Sequence, residues 1–161
     1  MSRSGYCEDI EDQWRWICWR GAVNSSLKGR RGQAFLRELA DALDAMPEKR
    51  LIGESLVTSN GDYCTLGVLG AARGIDLTKI DPDDSERVAK EFGIAEALAR
   101  EVVFENDEAF ESWKWVEVEI CGPMRGHWEQ RKRCIRVEKE NVAELRWVHM
   151  RKWVEQNLVK S

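Results

Sequence analysis

The charged residues of this chain are segregated along the sequence, and this layout constrains the fold more than any single motif does. Gln13 to Arg37 contains six Lys or Arg and no acid, Asp76 to Glu119 has fourteen acids against five bases, and Ile120 to Ser161 has ten bases against five acids. The net charge of -4 therefore hides blocks of +6, -9 and +5. A compact fold must either pair these blocks internally or present them as faces that attract partners of opposite charge.

The length and composition predict one soluble domain spanning residues 1–161. A chain of 161 residues with 43% hydrophobic and 34% charged residues can bury a core of ordinary size. The first residues lack the apolar run of a signal peptide, and no stretch approaches the roughly 20 apolar residues that span a bilayer. We therefore expect a cytoplasmic protein without membrane contact, whose five scattered cysteines are reduced.

Apolar spacing predicts about five helices, at residues 9–23, 33–45, 82–92, 94–104 and 142–158. The second is the clearest, and Pro47 is its expected stop. Its apolar stripe consists of Phe35, Leu36, Leu39, Leu43 and Met46. Asp81 is the expected N-cap of the third helix, Ser25 to Gly32 is expected to be a basic linker, and residues 70–80 are expected to be a loop.

Two β-hairpins complete the predicted α+β fold. Asn60-Gly61 favours a tight turn between arms at residues 51–58 and 63–69. Residues 113–121 alternate between apolar and acidic side chains, and residues 133–138 are a plausible partner strand, with Arg136 facing the glutamates. A long basic loop at residues 121–132 joins the two strands.

Val88 to Val102 has the spacing of a helix-turn-helix, including a glycine at the turn. The exposed side of its second helix would present Glu96, Arg100 and Glu101 within the acidic block, and DNA would repel that surface. A plain helical hairpin is the better interpretation. The acidic surface itself is either a solvated face or an imitation of nucleic acid that occupies a basic groove on another protein, and its candidate residues are Asp84, Glu91, Glu96 and Glu101.

The basic residues define a second candidate surface in the late loop, consisting of Arg125, His127, Trp128, Arg131, Lys132 and Arg133. Arginine beside tryptophan suits stacking and phosphate contact, and an N-terminal basic set could contribute to the same surface: Arg15, Arg20, Lys28, Arg30 and Arg31. The alternative is that these bases pair with the acidic block inside the molecule.

Support for a metal site or for catalysis is thin. Cys121, His127 and Cys134 match none of the familiar ligand spacings, and small buried thiols at Cys18, Cys64 and Cys134 are the simpler account. The only two histidines lie near no nucleophile elbow, and the chain has no phosphate-cradling glycine loop. We therefore predict a protein that is not an enzyme and that needs no cofactor or metal.

Seven segments at residues 2–6, 19–22, 28–39, 43–51, 88–107, 119–124 and 146–154 extend from one end of the chain to the other. They resemble a group of small, uncharacterised proteins encoded in bacteriophages and prophages of Gram-negative bacteria. The resemblance implies a phage accessory protein that acts in the cytoplasm of the host bacterium, but it brings no catalytic residues. Together with the charge layout it predicts a protein that binds and inhibits or modulates a host protein, such as a nucleic-acid-handling or defence component. Direct nucleic-acid binding through the basic surfaces is the alternative.

Overall fold

The computed structural model describes residues 3–6, 13–119 and 132–159. Over these ranges the chain forms six α-helices, one short 3-10 helix and a two-stranded antiparallel sheet, which confirms the α+β class. The elements in chain order are α1 Gln13–Lys28, α2 Arg30–Ala45, α3 Thr65–Ala72, the 3-10 helix Leu77–Lys79, α4 Ser85–Phe92, α5 Glu96–Asp107, β1 Trp113–Glu119, β2 Lys132–Glu138 and α6 Val142–Asn157.

The chain divides into two compact units. The helical unit comprises residues 1–110 and 143–161, and the hairpin unit comprises residues 111–142. The hairpin unit contains β1 and β2, whereas the core of buried apolar side chains belongs to the helical unit. The expectation of a single domain stays a prediction.

Helix α2 supplies the centre of the core, as its apolar stripe predicts. Phe35, Leu36, Leu39 and Leu43 are each at most 1% exposed. Complete burial of such a side chain stabilises the fold by about 2 kcal/mol relative to its exposed state. The amphipathic pattern of this segment therefore fixes both the helix and the face that it buries.

Helices α4 and α5 form the helical hairpin expected from the sequence. Gly93 adopts the left-handed conformation at φ 67° and ends α4. Helix α5 contacts α1, α3 and α4, and it buries residues on several sides: Leu98, Ala99, Glu101, Val102, Val103 and Asn106. A helix enclosed in this way cannot enter a DNA groove, so the structure removes the DNA-reading interpretation of this motif.

The prediction of a β-hairpin around Asn60-Gly61 is wrong for the two arms that flank the turn. Only Val57 and Tyr63 form an isolated antiparallel bridge, and the expected second arm becomes α3. The Cys64 thiol caps this helix by accepting a hydrogen bond from the Gly67 N–H at 3.4 Å. A short apolar run does not reveal by periodicity whether it is a buried strand or a buried helix, and α3 is buried from Thr65 to Gly70.

Three further expectations about helix bounds and faces are corrected. Helix α1 continues to Lys28, so only Gly29 separates it from α2 where a linker was expected. Asp84, rather than Asp81, caps α4 by accepting from the Arg87 N–H at 3.0 Å. The apolar spacing that predicted the first helix includes Trp14, Ile17 and Cys18, but these residues are exposed, and the buried residues of α1 are Val23 and Leu27. Residues 9–12 lie outside the described part of the chain.

Helix α6 is confirmed over nearly its whole predicted length. Met150 and Val154 are fully buried, Trp153 is buried, and Trp147 packs against the core. Of the two histidines, His149 lies at the edge of this core, where its Nε2 is 2.8 Å from an Oε atom of Glu105. It is thus engaged within the helical unit.

Candidate functional site

Among the described residues of the last third of the chain, the most exposed aromatic side chain, Trp115, belongs to the hairpin unit. Strands β1 and β2 pair in antiparallel register, with Trp115 opposite Arg136 and Val116 opposite Ile135. Side chains alternate between the two faces of the pair. The aromatic face consists of Trp113, Trp115, Glu117, Glu119, Lys132, Cys134, Arg136 and Glu138, and the aliphatic face consists of Lys114, Val116, Val118, Arg133, Ile135 and Val137.

Aromatic and charged side chains are ordered against one another on the aromatic face. The Arg136 guanidinium lies 4.0 Å from the centroid of the Trp113 ring, and the Trp113 and Trp115 rings meet edge to face at 5.4 Å. Trp115 nevertheless remains 63% exposed. Arg136 lies on the face of Glu117 and Glu119, as expected. Its guanidinium contacts the Trp113 ring, and Lys132 makes the ion pair with Glu117 at 2.6 Å.

The aliphatic face is also incompletely covered. Ile135 and Val137 are each 36% exposed, and every residue of β2 is exposed. An isolated two-stranded hairpin is marginally stable in water because it buries little apolar surface. A hairpin with both faces accessible and an ordered Trp-Arg cluster is therefore suited to holding another molecule.

The structure describes only part of the predicted late-loop surface. Lys132 and Arg133 begin β2, on opposite faces of the pair, and both are exposed. The remaining predicted residues lie outside the described part of the chain: Arg125, His127, Trp128 and Arg131. The binding surfaces predicted from the sequence did not include Trp113, Trp115 and Arg136, although the alternation of a β-strand puts residues 113 and 115 on one face.

The predicted acidic surface is reduced by one residue. Asp84, Glu91 and Glu96 are exposed, but Asp84 caps α4 and Glu96 accepts a hydrogen bond from the Ser85 hydroxyl at 2.7 Å. Glu101 is only 3% exposed, so its assignment to a binding surface is wrong. A buried carboxylate requires partners, and those of Glu101 come from segments far away in sequence.

The partners of Glu101 are Arg20 and Tyr6. Arg20 Nη1 lies 2.9 Å from Glu101 Oε1, and the Tyr6 hydroxyl donates to Oε2 at 3.0 Å. Burial of Tyr6 and the adjacent negative charge of Glu101 raise the pKa of the phenol well above its ordinary value. One member of the basic N-terminal set is thus paired with the acidic block, whereas Arg15, Lys28, Arg30 and Arg31 are exposed.

The cysteines differ from one another in environment. Cys64 is buried, and burial raises the pKa of its thiol. Cys18 and Cys134 are exposed, so the expectation that they are buried is wrong. Across the described ranges no three His, Cys, Asp or Glu side chains are arranged to hold a metal ion, while Cys121 and His127 of the weighed metal set fall outside those ranges.

A buried polar network in the helical unit has no counterpart in the sequence predictions. The Asn106 side chain accepts from the Thr65 N–H at 3.1 Å and donates to the Ile52 carbonyl at 2.9 Å. Arg146 Nε donates to the Asn106 carbonyl at 2.8 Å, near the end of α5. No local pattern could have identified this network, because each of its hydrogen bonds joins residues that are 40 or more positions apart.

Comparison of the chain with protein-family models, curated proteins and solved structures gives no match. Among the described helices, none has both the length and the apolar composition needed to cross a bilayer.

Proposed function

We propose that this protein is a non-enzymatic phage accessory protein that binds a host protein through the aromatic face of its hairpin. The observation that carries the proposal is the 63% exposure of Trp115 beside the ordered Trp113-Arg136 pair. Tryptophan and arginine are the residues that most often dominate binding energy when a partner covers them.

The charge of the hairpin favours a protein partner over nucleic acid. The hairpin unit, residues 111–142, contains six Asp or Glu and seven Lys or Arg, so its net charge is only +1. Binding to phosphates depends on excess positive charge and on counterion release. Aromatic anchors with balanced charges are instead typical of a protein interface.

The phage setting, the cytoplasm of a host bacterium and the modulation of host machinery belong to the same proposal. They are supported by the resemblance of the quoted segments to phage and prophage proteins. The proposed partner is a host protein, such as a nucleic-acid-handling or defence component, and the proposed mode of action is binding without chemistry.

Direct nucleic-acid binding is the second candidate, favoured by one specific observation. The stretch from Gln13 to Arg37 contains no acid, and its Arg15, Lys28, Arg30 and Arg31 are exposed. Such a surface could contact a phosphate backbone.

Affinity capture from a Gram-negative host lysate, run beside fluorescence anisotropy with mixed DNA and RNA, separates the two candidates. The proposal predicts one stoichiometric host protein, retained by Lys114→Ala and lost with Arg136→Ala. These variants remove one positive charge each from opposite faces of the same hairpin. Salt-sensitive binding to nucleic acid without a retained protein would favour the second candidate, and equal capture by both variants would remove the aromatic face from the proposal.

A further inference from the structure

A cavity of about 660 Å³ opens in the helical unit and is lined by charged side chains. Its size suits a small ligand. Its wall carries four carboxylates and two guanidinium groups, from Glu54, Asp83, Asp107, Glu108, Arg3 and Arg146. This mixture of charges includes one group whose hydrogen bonds are incomplete.

That group is the guanidinium of Arg3, whose side chain is only 8% exposed. Nη1 donates to Asp107 Oδ2 at 3.1 Å, but Nε and Nη2 are buried and have no hydrogen-bond partner among the residues that the structure describes. These two nitrogens form one edge of the guanidinium, and their spacing matches the two oxygens of a carboxylate. Buried donors without acceptors are costly, so this edge is built to receive an acceptor.

The nearest acceptor is the carboxylate of Asp83, another residue of the cavity wall. Its Oδ1 lies 3.8 Å from Arg3 Nε, which is too far for a hydrogen bond. The Asp83 side chain is 74% exposed and can move aside at little cost. Asp83 thus lies where a carboxylate from outside could bind Arg3 more closely.

We propose that this cavity binds a small zwitterion of the α-amino acid type. The ligand carboxylate accepts hydrogen bonds from Nε and Nη2 of Arg3 in place of Asp83, and the ligand ammonium is held by the exposed carboxylates of Asp83 and Glu54. A simple anion would meet an excess of negative charge on the wall, and a simple cation would leave the Arg3 edge unpaired. All the described residues of the cavity wall belong to the helical unit, and the proposal does not depend on the proposed partner.

Isothermal titration calorimetry of the full chain with a panel of standard amino acids tests the proposal. The analogues are the same compounds without the ammonium group or without the carboxylate. We expect at least one amino acid to bind and both of its analogues to bind at least about tenfold more weakly. Arg3→Lys should weaken binding of that amino acid by about tenfold or more, because lysine lacks the two paired donors of the guanidinium edge. Arg37→Lys, an exposed change outside the cavity, is the matched control.

Asp83→Ala keeps the test decisive if Arg3→Lys does not fold. Asp83→Ala removes the competing carboxylate, so the ammonium-free analogue should bind this variant more tightly than it binds the original chain. Glu54→Gln should weaken the binding only of ligands that carry an ammonium group. The proposal is overturned if no amino acid binds either the original chain or Asp83→Ala. It is equally overturned if folded Arg3→Lys binds as well as Arg37→Lys does.

Discussion

Loss of the Arg20 guanidinium should destabilise the helical unit far more than loss of an ordinary surface charge. Glu101 is 3% exposed, and Arg20 is the cation within 2.9 Å of its carboxylate. Removal of one partner of a fully buried ion pair costs about 3–5 kcal/mol because the other charge is left uncompensated. Since the Arg20 side chain is 34% exposed, water can replace part of the interaction. We therefore expect Arg20→Met to lower the free energy of unfolding by about 2 kcal/mol.

Urea denaturation followed by circular dichroism measures this cost, and a decrease in Tm of about 4–8 °C should accompany it. The matched control is Lys79→Met, which removes the partner of Asp76 from a pair whose side chains are 77% and 50% exposed. That change should lower the free energy of unfolding much less than Arg20→Met does, because an exposed pair is well hydrated with or without its partner. The double variant Arg20→Met with Glu101→Met should be more stable than the sum of the single changes predicts, because neither charge is then left alone.

Equal effects of Arg20→Met and Lys79→Met would refute this reasoning. Glu101 would then not behave as a buried carboxylate, and its sequence-based assignment to the acidic surface would be restored.

Three further predictions follow from local geometry. Gly67→Ala should destabilise the protein by about 3 kcal/mol in thermal unfolding, because a Cβ would lie 1.9 Å from a backbone carbonyl oxygen. Gly21→Ala should stabilise it by about 0.5–1 kcal/mol, because there is open space around Gly21. Burial and the neighbouring carboxylate raise the pKa of Tyr6 above its unfolded value of 10.0. The contribution of Tyr6 to the free energy of unfolding should therefore be fully present below pH 10.0 and should fall above it by about 1.4 kcal/mol per pH unit. Tyr6→Phe should remove this slope. Alkylation mapped by mass spectrometry should modify Cys134 in the native protein but Cys64 only on unfolding.

The sequence predicted the elements whose signals are local. The apolar stripe of α2, the glycine between α4 and α5, and the alternation of β1 each depend on a few neighbouring residues. The structure reproduces all three. The error at α3 has the opposite origin, because Thr65 to Gly70 is buried throughout and therefore lacks the polar positions that distinguish a helix from a strand.

The candidate sites were predictable only in part, because burial depends on contacts between distant segments. The alternation of β1 and β2 was enough to locate the hairpin. The exposure of the Trp115 side chain depends on whether other segments of the chain pack on it, which local alternation does not indicate. Glu101 was misplaced because its partners lie 81 and 95 residues away. The position of the Arg3 guanidinium could likewise not be predicted from the sequence, since the carboxylate that accepts from its Nη1 is 104 residues away.

Site-specific photocrosslinking at two adjacent positions of β1 tests the central claim most directly. Trp115 and Lys114 are replaced one at a time by p-benzoyl-phenylalanine, and the protein is irradiated in host cells. Because the two side chains point to opposite faces, the account predicts a covalent adduct with one host protein from position 115 and little or none from position 114. Equal adducts from both positions, or none from position 115, would contradict it.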